Sequence, residues 1–221
     1  MPLCVRSVYD KGMKLLVTAG PTREHLDPVR FLSNRSTGRM GFAVAAAAVE
    51  RGHAVTLVAG PVELSAPAGV KRVDVVSARE MLEAVEQYLL EHDALVMTAA
   101  VADWRPKTCS EVKIKKSVMN DVIELEPNPD ILQTLRPLKG KRIFVGFAAE
   151  TGDTEAEARR KLEEKGVDLI VANDVAMPDA GFAVETNRVT LFSKEGEPVT
   201  LPLQSKLDVG RALIAWIEER A

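Results

Sequence analysis

The chain has 221 residues, 46% of them hydrophobic, with 29 basic and 32 acidic side chains and a formal net charge of -3. This length suits one domain of about 100–200 residues with an elaborated edge, and the composition excludes a mainly disordered chain. The charge balance does not suit a generic nucleic-acid coat. Two cysteines, Cys4 and Cys109, exclude a disulfide framework and a four-cysteine zinc site.

The sequence contains no segment typical of a membrane protein. No apolar run approaches the about 20 residues that a bilayer-spanning helix needs, and the N-terminus lacks the apolar stretch of a signal peptide. Residues 1–13 carry no hydrophobic pattern, so we expect a flexible extension there and one domain over residues 14–221. The chain is therefore predicted to be soluble and cytoplasmic.

Short apolar runs alternate with helical patterns along the chain. The runs are continuously hydrophobic, which is typical of parallel strands covered on both faces. This order predicts an α/β fold, with a Rossmann-like, doubly wound, mostly parallel sheet. The predicted strands are residues 14–18, 54–59, 72–76, 94–98, 142–147 and 169–172. The predicted helices are residues 41–51, 78–91, 129–135, 155–165 and 206–220.

The connection after the first strand, residues 20–40, is unusually long at 21 residues. Because such turns take about 2–6 residues, we expect a structureless functional loop. Its end supplies hydroxyls, guanidinium groups and glycines at a helix N-terminus, where free N–H groups and the helix dipole attract phosphate. Ser36, Thr37 and Gly38 are therefore candidates for a phosphate cradle. The alternative is that Ser36 or Thr37 only caps the helix.

A second candidate region follows the strand at residues 94–98, because ligands bind at the carboxyl ends of strands in such sheets. Asp103 is placed there for a sugar hydroxyl or a metal-bound water, although capping a turn is an equal alternative. Farther on, Lys113 and Lys115 share one face if residues 113–116 form a strand. They then belong to a solvated edge or, beside a phosphate site, neutralise a triphosphate.

Two segments depart from the alternation. Residues 112–126 are typical of two short strands around Asn120 and Asp121, and residues 187–203 of a hairpin that turns at Glu195 and Gly196. We expect both segments to protrude from the sheet as β-hairpin elements. Because an alternating edge strand otherwise needs covering, both are candidate pairing surfaces.

The common nucleotide fingerprints are missing. Thr22 stands where a Gly-x-Gly-x-x-Gly pattern needs its second glycine, and there is no Walker-type loop. His25, His53 and His92 show no metal-ligand spacing. Two other functions remain open from these residues alone, namely a nucleotide-sugar or NAD(P)-linked oxidoreductase and a non-catalytic nucleotide-sensing module.

Long, ordered motifs across residues 14–221 resemble the phosphopantothenate–cysteine ligases. Bacterial members use CTP and form the C-terminal half of a bifunctional coenzyme A biosynthesis protein, whose flavin-dependent decarboxylase half is not recognisable here. The KIKK and NPDI segments are similar to those of the bacterial type. The motifs are VTAGPTREHLDPVRFLSNRSTGRMGFAVAAAA (17–48), AAVADWRP (99–106), KIKK (113–116), NPDIL (128–132), GFAAET (146–151) and AND (172–174).

The resemblance implies a ligase reaction in two steps. The carboxylate of 4'-phosphopantothenate attacks the α-phosphorus of CTP to give an acyl-cytidylate and pyrophosphate, and the amine of L-cysteine then displaces CMP to form 4'-phosphopantothenoylcysteine. It also implies Mg²⁺ that bridges phosphate oxygens, a homodimer, and a fused or separate decarboxylase, but no nucleic-acid or membrane partner. The metal ligands stay unidentified.

The resemblance also implies roles for individual residues. Asn34 would hold the acyl-cytidylate carbonyl as a neutral donor to a developing oxyanion, and Lys113 would stabilise the triphosphate as pyrophosphate leaves. Without the resemblance, Phe147 is a core residue more readily than a base-stacking one, and Lys161 and Lys165 are solvent-exposed helix lysines. The positions that bind CTP in the family correspond to Met97, Asp103, Lys113, Pro129, Asp130, Ile131, Leu132, Phe147, Lys161 and Lys165.

Overall fold

The structure is a computed structural model that describes residues 12–116, 122–150, 154–174 and 184–221. Of the predicted N-terminal extension, only Gly12 and Met13 fall within these ranges. The Met13 side chain is buried, and its backbone N–H donates to Nδ1 of His53 at 3.1 Å. Met13 therefore packs with the domain.

The described chain alternates strands and helices. The strands are β1 (Lys14–Ala19), β2 (Arg23–His25), β3 (Phe31–Ser33), β4 (Ala54–Ala59), β5 (Lys71–Asp74), β6 (Ala94–Met97), β7 (Trp104–Pro106), β8 (Leu125–Pro127), β9 (Ile143–Glu150), β10 (Leu169–Asp174), β11 (Thr186–Asn187), β12 (Val189–Ser193), β13 (Val199–Thr200) and β14 (Gln204–Ser205). The helices are α1 (Arg39–Glu50), α2 (Ala78–Leu89), α3 (Ile131–Leu135), α4 (Thr154–Lys165) and α5 (Lys206–Glu218). Within the described ranges, no helix is long and apolar enough to cross a membrane.

The predicted α/β fold is confirmed. Eight strands form the central sheet in the order β13-β12-β10-β9-β6-β1-β4-β5. The six strands from β10 to β5 are parallel to one another, whereas β12 is antiparallel to β10 and to β13. Counted along the chain, the parallel strands stand in the order 3-2-1-4-5-6, which is that of a dinucleotide-binding sheet. Because the strand order reverses between β1 and β6, their carboxyl ends flank the place where such sheets bind ligands.

Helices cover both faces of the sheet, which explains the continuous hydrophobicity of its strands. Leu15 and Val17 of β1 pack into one core layer with residues of α1 and α5. Leu16, the residue between them, packs into the other layer with residues of α2, α3 and α4. Successive side chains of a strand point to opposite faces, so every position of β1 beyond Lys14 is buried.

The long connection from β1 to α1 is not structureless, contrary to the prediction. β2 and β3 form an antiparallel hairpin in which Arg23 lies opposite Ser33, and α1 already begins at Arg39. The turn of the hairpin is stabilised by the Asp27 carboxylate, whose Oδ1 accepts the backbone N–H of Val29 and of Arg30 at 2.9 Å each. An aspartate that bonds to the backbone just ahead of it is a common turn former.

The prediction of two strands within residues 112–126 is wrong for the described part of that segment. β8 pairs instead with β7, and residues 112–116 form no strand. The N–H and carbonyl of Ile114 are bonded to side chains of Asp27 and Arg30, so they cannot also join a strand ladder. The expected turn at residues 120–121 lies outside the described residues. The hairpin in residues 187–203 is confirmed, since β12 pairs antiparallel with β13.

Candidate active site

Two cavities adjoin at the carboxyl ends of the parallel strands. The smaller, about 140 Å³, lies at the N-terminus of α1 and is called the helix pocket here. The larger, about 730 Å³, lies beside α3 and α4 and is called the cleft. They share the lining residues Ala99, Ala100, Phe147, Ala148 and Ala149. Both therefore occupy the ligand-binding edge that the strand order indicates.

The cleft brings together residues that are far apart in the sequence. Its lining includes Asn34 and all of the predicted nucleotide-binding residues except Lys113. They come from the loop before α1, from β6 and the loop after it, from the start of α3, from β9 and from α4. These residues are Met97, Asp103, Pro129, Asp130, Ile131, Leu132, Phe147, Lys161 and Lys165.

Asn34 is held in the cleft by its side-chain amide. Nδ2 donates to the backbone carbonyls of Ala100 at 3.1 Å and Val101 at 3.2 Å. Because both partners are acceptors, the amide nitrogen must face them and Oδ1 must face away. Both N–H groups are thus engaged, and donating one to an oxyanion, as the sequence predicts, requires Asn34 to release a carbonyl.

The start of α3 forms one wall of the cleft. Asp130 caps this helix, since its Oδ1 accepts the backbone N–H of Gln133 at 3.0 Å. Its other oxygen pairs with Nζ of Lys165 at 3.0 Å, which ties α4 to α3. Ile131 and Leu132 are buried behind this wall. The ammonium of Lys165 is therefore preorganised at the cleft, with Asp130 balancing its charge.

Like Ile131 and Leu132, two further predicted nucleotide-binding residues, Met97 and Phe147, are part of the core or pack against it. Met97 is buried, and its Sδ accepts from Oγ1 of Thr18 at 3.5 Å. Phe147 packs against one core layer and lines both cavities. Core packing and ligand contact are therefore compatible at Phe147.

The helix pocket surrounds the N-terminus of α1. Gly38 occupies the N-cap position with φ of +79° and, as a glycine, offers no side chain to cap this helix. Oγ of Ser36 accepts the N–H of Gly38 at 3.3 Å, so this hydroxyl bonds to the N-cap residue rather than to the first turn of α1. The first N–H groups of α1 lack intrahelical partners, and Ser36, Thr37 and Gly38 all line the pocket. This arrangement suits an anion.

Two further residues of the helix pocket were not identified from the sequence. Lys206 is buried at the start of α5, and its Nζ donates to the carbonyls of Thr186, at 3.1 Å, and Val184. Burial, and then the nearby Arg39, lower the pKa of Lys206. Oδ1 of Asn173 is buried without a hydrogen-bond partner in the described part of the chain. No sequence pattern marks this lysine, because β14 and α5 bring it to the pocket only in the folded chain.

Gly41 allows α1 to approach the sheet closely. A Cβ there would lie 2.4 Å from Oγ1 of Thr98, 2.5 Å from Cβ of Ala19 and 2.8 Å from the carbonyl oxygen of Thr18. We expect Gly41→Ala to lower the free energy of unfolding by about 3 kcal/mol, the upper end for overpacking, as measured by urea denaturation. Gly196→Ala is the control, because no described atom lies within 4 Å of its added Cβ and the left-handed backbone should cost only about 1 kcal/mol. Equal losses of unfolding free energy in Gly41→Ala and Gly196→Ala would contradict the close approach of α1 to the sheet.

Lys113 lies apart from the cleft. It lines a separate cavity with Arg30, Ile114, Lys115 and Lys116, and its side chain is exposed. The structure therefore does not bring Lys113 together with the other predicted nucleotide-binding residues. Its role in the reaction stays a prediction.

The donor groups of the cleft suit a nucleotide-bound cation better than a protein-held one. Within the described ranges no three His, Cys, Asp or Glu side chains cluster as metal ligands. Asp130 is engaged by Gln133 and Lys165, which leaves Asp103 as an exposed carboxylate of the cleft. Mg²⁺ commonly takes one or two carboxylates plus substrate phosphates and keeps several waters, and that donor set fits this cleft.

Comparison with known proteins agrees with this architecture. The family model of the DNA/pantothenate metabolism flavoprotein C-terminal domain matches residues 10–220. The chain is 50% identical over 212 residues to the coenzyme A biosynthesis bifunctional protein CoaBC of Vibrio cholerae, covering 95% of this chain and 53% of that protein. It is also 50% identical over 208 residues to CoaBC of Bacillus subtilis, covering 94% and 51%. The chain thus spans about half the length of these curated relatives.

A solved structure matches over nearly the whole chain. The crystal structure of the C-terminal domain of a CoaBC protein aligns with a TM-score of 0.82 at 45% identity, covering 95% of each chain. The fold described above is therefore that of the C-terminal domain of this relative.

Proposed function

The chain belongs to the DNA/pantothenate metabolism flavoprotein C-terminal domain family, and we propose from this that it is a phosphopantothenate–cysteine ligase of coenzyme A biosynthesis that uses CTP. One observation carries the proposal. Residues that the sequence resemblance assigns to the nucleotide, spread from β6 to α4, line a single cleft together with Asn34. That cleft lies at the strand-order reversal, where such sheets bind ligands.

The two cavities divide the substrates between them in this proposal. The cytidine triphosphate occupies the cleft, where Lys161 supplies positive charge, Lys165 an ammonium group already paired with Asp130, and Phe147 an aromatic surface. The phosphate of 4'-phosphopantothenate occupies the helix pocket, against the N–H groups of α1. Because the cavities share the strand ends at residues 99–100 and 147–149, the carboxylate of that substrate can meet the α-phosphorus at their junction.

The first step activates a poor electrophile. A carboxylate repels nucleophiles and has an oxide leaving group, so its oxygen attacks the α-phosphorus and the bond to the pyrophosphate breaks. Charge grows on the departing phosphates, and lysine ammonium groups stabilise it. Mg²⁺ bound to the nucleotide would neutralise further charge on the phosphates, and the exposed carboxylate of Asp103 would bind it through a water.

The second step transfers the acyl group to cysteine. The amine attacks the acyl carbonyl and negative charge develops on the carbonyl oxygen. CMP then leaves with the electron pair of the broken bond between the acyl carbon and the phosphate oxygen, and the nitrogen loses a proton to give the amide. A neutral amide at Asn34 tolerates this charge, whereas a carboxylate there would repel it. The proposal includes a homodimer and a decarboxylase fused to the chain or separate from it.

A pyrophosphate assay with both co-substrates and CTP, ATP, GTP or UTP tests the proposal. We expect the highest kcat/KM with CTP, together with formation of 4'-phosphopantothenoylcysteine and CMP. Pyrophosphate release that needs neither 4'-phosphopantothenate nor cysteine would contradict it. CTP binding without pyrophosphate release would instead favour a nucleotide-sensing module, and a thermal shift with NADPH but not CTP would favour an oxidoreductase.

A further inference from the structure

We propose that Asp27 and Arg30, at the turn of the β2–β3 hairpin, are positioning residues that anchor the backbone of the basic loop, residues 107–116. The long side chain of Lys113, which lies outside the cleft in this structure, then extends to the nucleotide from a fixed point. The role of Lys113 in this statement rests on the proposed function. The contacts between the hairpin and the loop are independent of it.

Asp27 is a fully buried carboxylate whose oxygens are all in use. Oδ1 accepts the backbone N–H groups of Val29 and Arg30. Oδ2 accepts Nε of Arg30 at 3.0 Å and the backbone N–H of Ile114 at 3.1 Å. The Arg30 side chain, and then the backbone donors, hold the pKa of Asp27 well below its usual range. Asp27 is therefore ionised at neutral pH and binds donors from both the hairpin and the basic loop.

Arg30 also binds the basic loop through its side chain. Its Nη2 bonds to Asp27 and also donates to the carbonyl oxygen of Ile114 at 2.9 Å. Ile114, the residue next to Lys113, is thus bound at both its N–H and its carbonyl. A second tie lies before Lys113, where the N–H of Ser110 donates to the carbonyl of Leu26 at 2.9 Å. The hairpin consequently fixes the backbone on both sides of Lys113.

The hairpin is itself docked on the sheet and α2. The N–H of Arg23 donates to the carbonyl of Val76 at 2.8 Å. Glu24 is buried, and its Oε1 accepts the N–H of Ala78, the first residue of α2, at 2.9 Å. The strand that leaves the turn leads directly to Asn34. One anchored element therefore carries Asn34 at its base and holds the basic loop at its tip.

The carboxylate is chemically required at position 27. In Asp27→Asn the shape is kept, but one oxygen becomes an NH₂ group, which only donates. If that group replaces Oδ2, it faces Nε of Arg30 and the N–H of Ile114, both of which are donors as well. If it replaces Oδ1, it faces the N–H groups of Val29 and Arg30. Either orientation breaks the network, and we expect the basic loop to detach.

Trypsin cleavage after Lys113, Lys115 and Lys116, followed by mass spectrometry, tests the anchoring directly. We expect Asp27→Asn to speed this cleavage about tenfold, the population change for one charge-assisted hydrogen bond. Asp168→Asn is the matched control, since Asp168 also binds a cation and a backbone N–H, at Lys139 and Phe144. Cleavage at an unchanged rate in Asp27→Asn, or equally raised in both variants, would overturn the proposal.

Single-turnover pyrophosphate release tests the positioning of Lys113. We expect Asp27→Asn to lower the rate at saturating CTP about tenfold with CTP affinity unchanged, and to lower it no further in a Lys113→Gln background. Additive losses would show a general structural effect and refute positioning. Arg30→Lys, which keeps the charge but loses the forked donors, should reproduce the non-additivity if Asp27→Asn folds poorly. A wild-type protein that releases no pyrophosphate refutes the proposed function. The trypsin experiment tests only whether Asp27 anchors the basic loop, so its result does not depend on the proposed function.

Discussion

Asn34→Asp is expected to release pyrophosphate at close to the wild-type rate while forming amide about 10²–10³-fold more slowly, the usual effect of losing one oxyanion-stabilising donor. The substitution replaces a group that donates to the carbonyls of Ala100 and Val101 by one that only accepts. The carboxylate is driven away from these carbonyls, and it repels the oxyanion that develops when cysteine attacks. The activation step involves neither effect.

The measurement is a pair of rates from the same reaction. Pyrophosphate is followed by a coupled assay and 4'-phosphopantothenoylcysteine by chromatography, and the acyl-cytidylate should accumulate in the variant. Asn34→Leu serves as the control because it removes the donor without adding charge, so its amide formation should fall less. Equal loss of both half-reactions in Asn34→Asp would refute the assigned role.

Lys113→Gln is expected to slow the activation step itself to a small but measurable rate. If Lys113 meets the triphosphate, its ammonium stabilises charge on the departing pyrophosphate, and a neutral amide of similar length does not. Removal of such a group from a water-excluded site commonly lowers a rate by about 10²–10³-fold. Pyrophosphate release and acyl-cytidylate formation should fall together, and they are measured in the absence of cysteine.

Lys107→Gln is the matched control for this variant. Lys107 lies at the other end of the basic loop and pairs with Glu124 at 3.5 Å on the surface, where an exposed ion pair contributes little. Its activation rate should stay near that of the wild type. Normal accumulation of acyl-cytidylate in Lys113→Gln would show that Lys113 does not bind the triphosphate. That outcome would agree with the exposed position of Lys113 outside the cleft.

The hydrophobic pattern of the sequence determined the fold class, and the resemblance of its motifs to a family named the residues that line the cleft. Continuous apolar runs such as β1 and β4 indicate that both faces of the strand are buried. In a sheet of parallel strands, helices on both sides bury these faces. Segments that end such strands must meet at one edge of the sheet, because parallel strands share a direction. Asp103, after β6, could therefore be placed at that edge from the pattern alone, whereas Phe147, in β9, was assigned to the same site only by the family resemblance.

Tertiary structure alone decided how the protruding segments pair and what holds them. β7 pairs with β8, Asp27 binds the backbone of Ile114, and Lys206 lines the helix pocket. Each of these contacts joins parts of the chain that are far apart in sequence, so no local pattern predicts it. Hydrophobic periodicity records whether a residue is buried, since that depends on its own side chain and near neighbours. It does not record which distant donor a buried carboxylate meets, because that depends on how separate elements pack. For that reason residues 112–116 could be predicted as part of a strand, although the backbone of Ile114 is bonded to the side chains of a hairpin far away in the sequence.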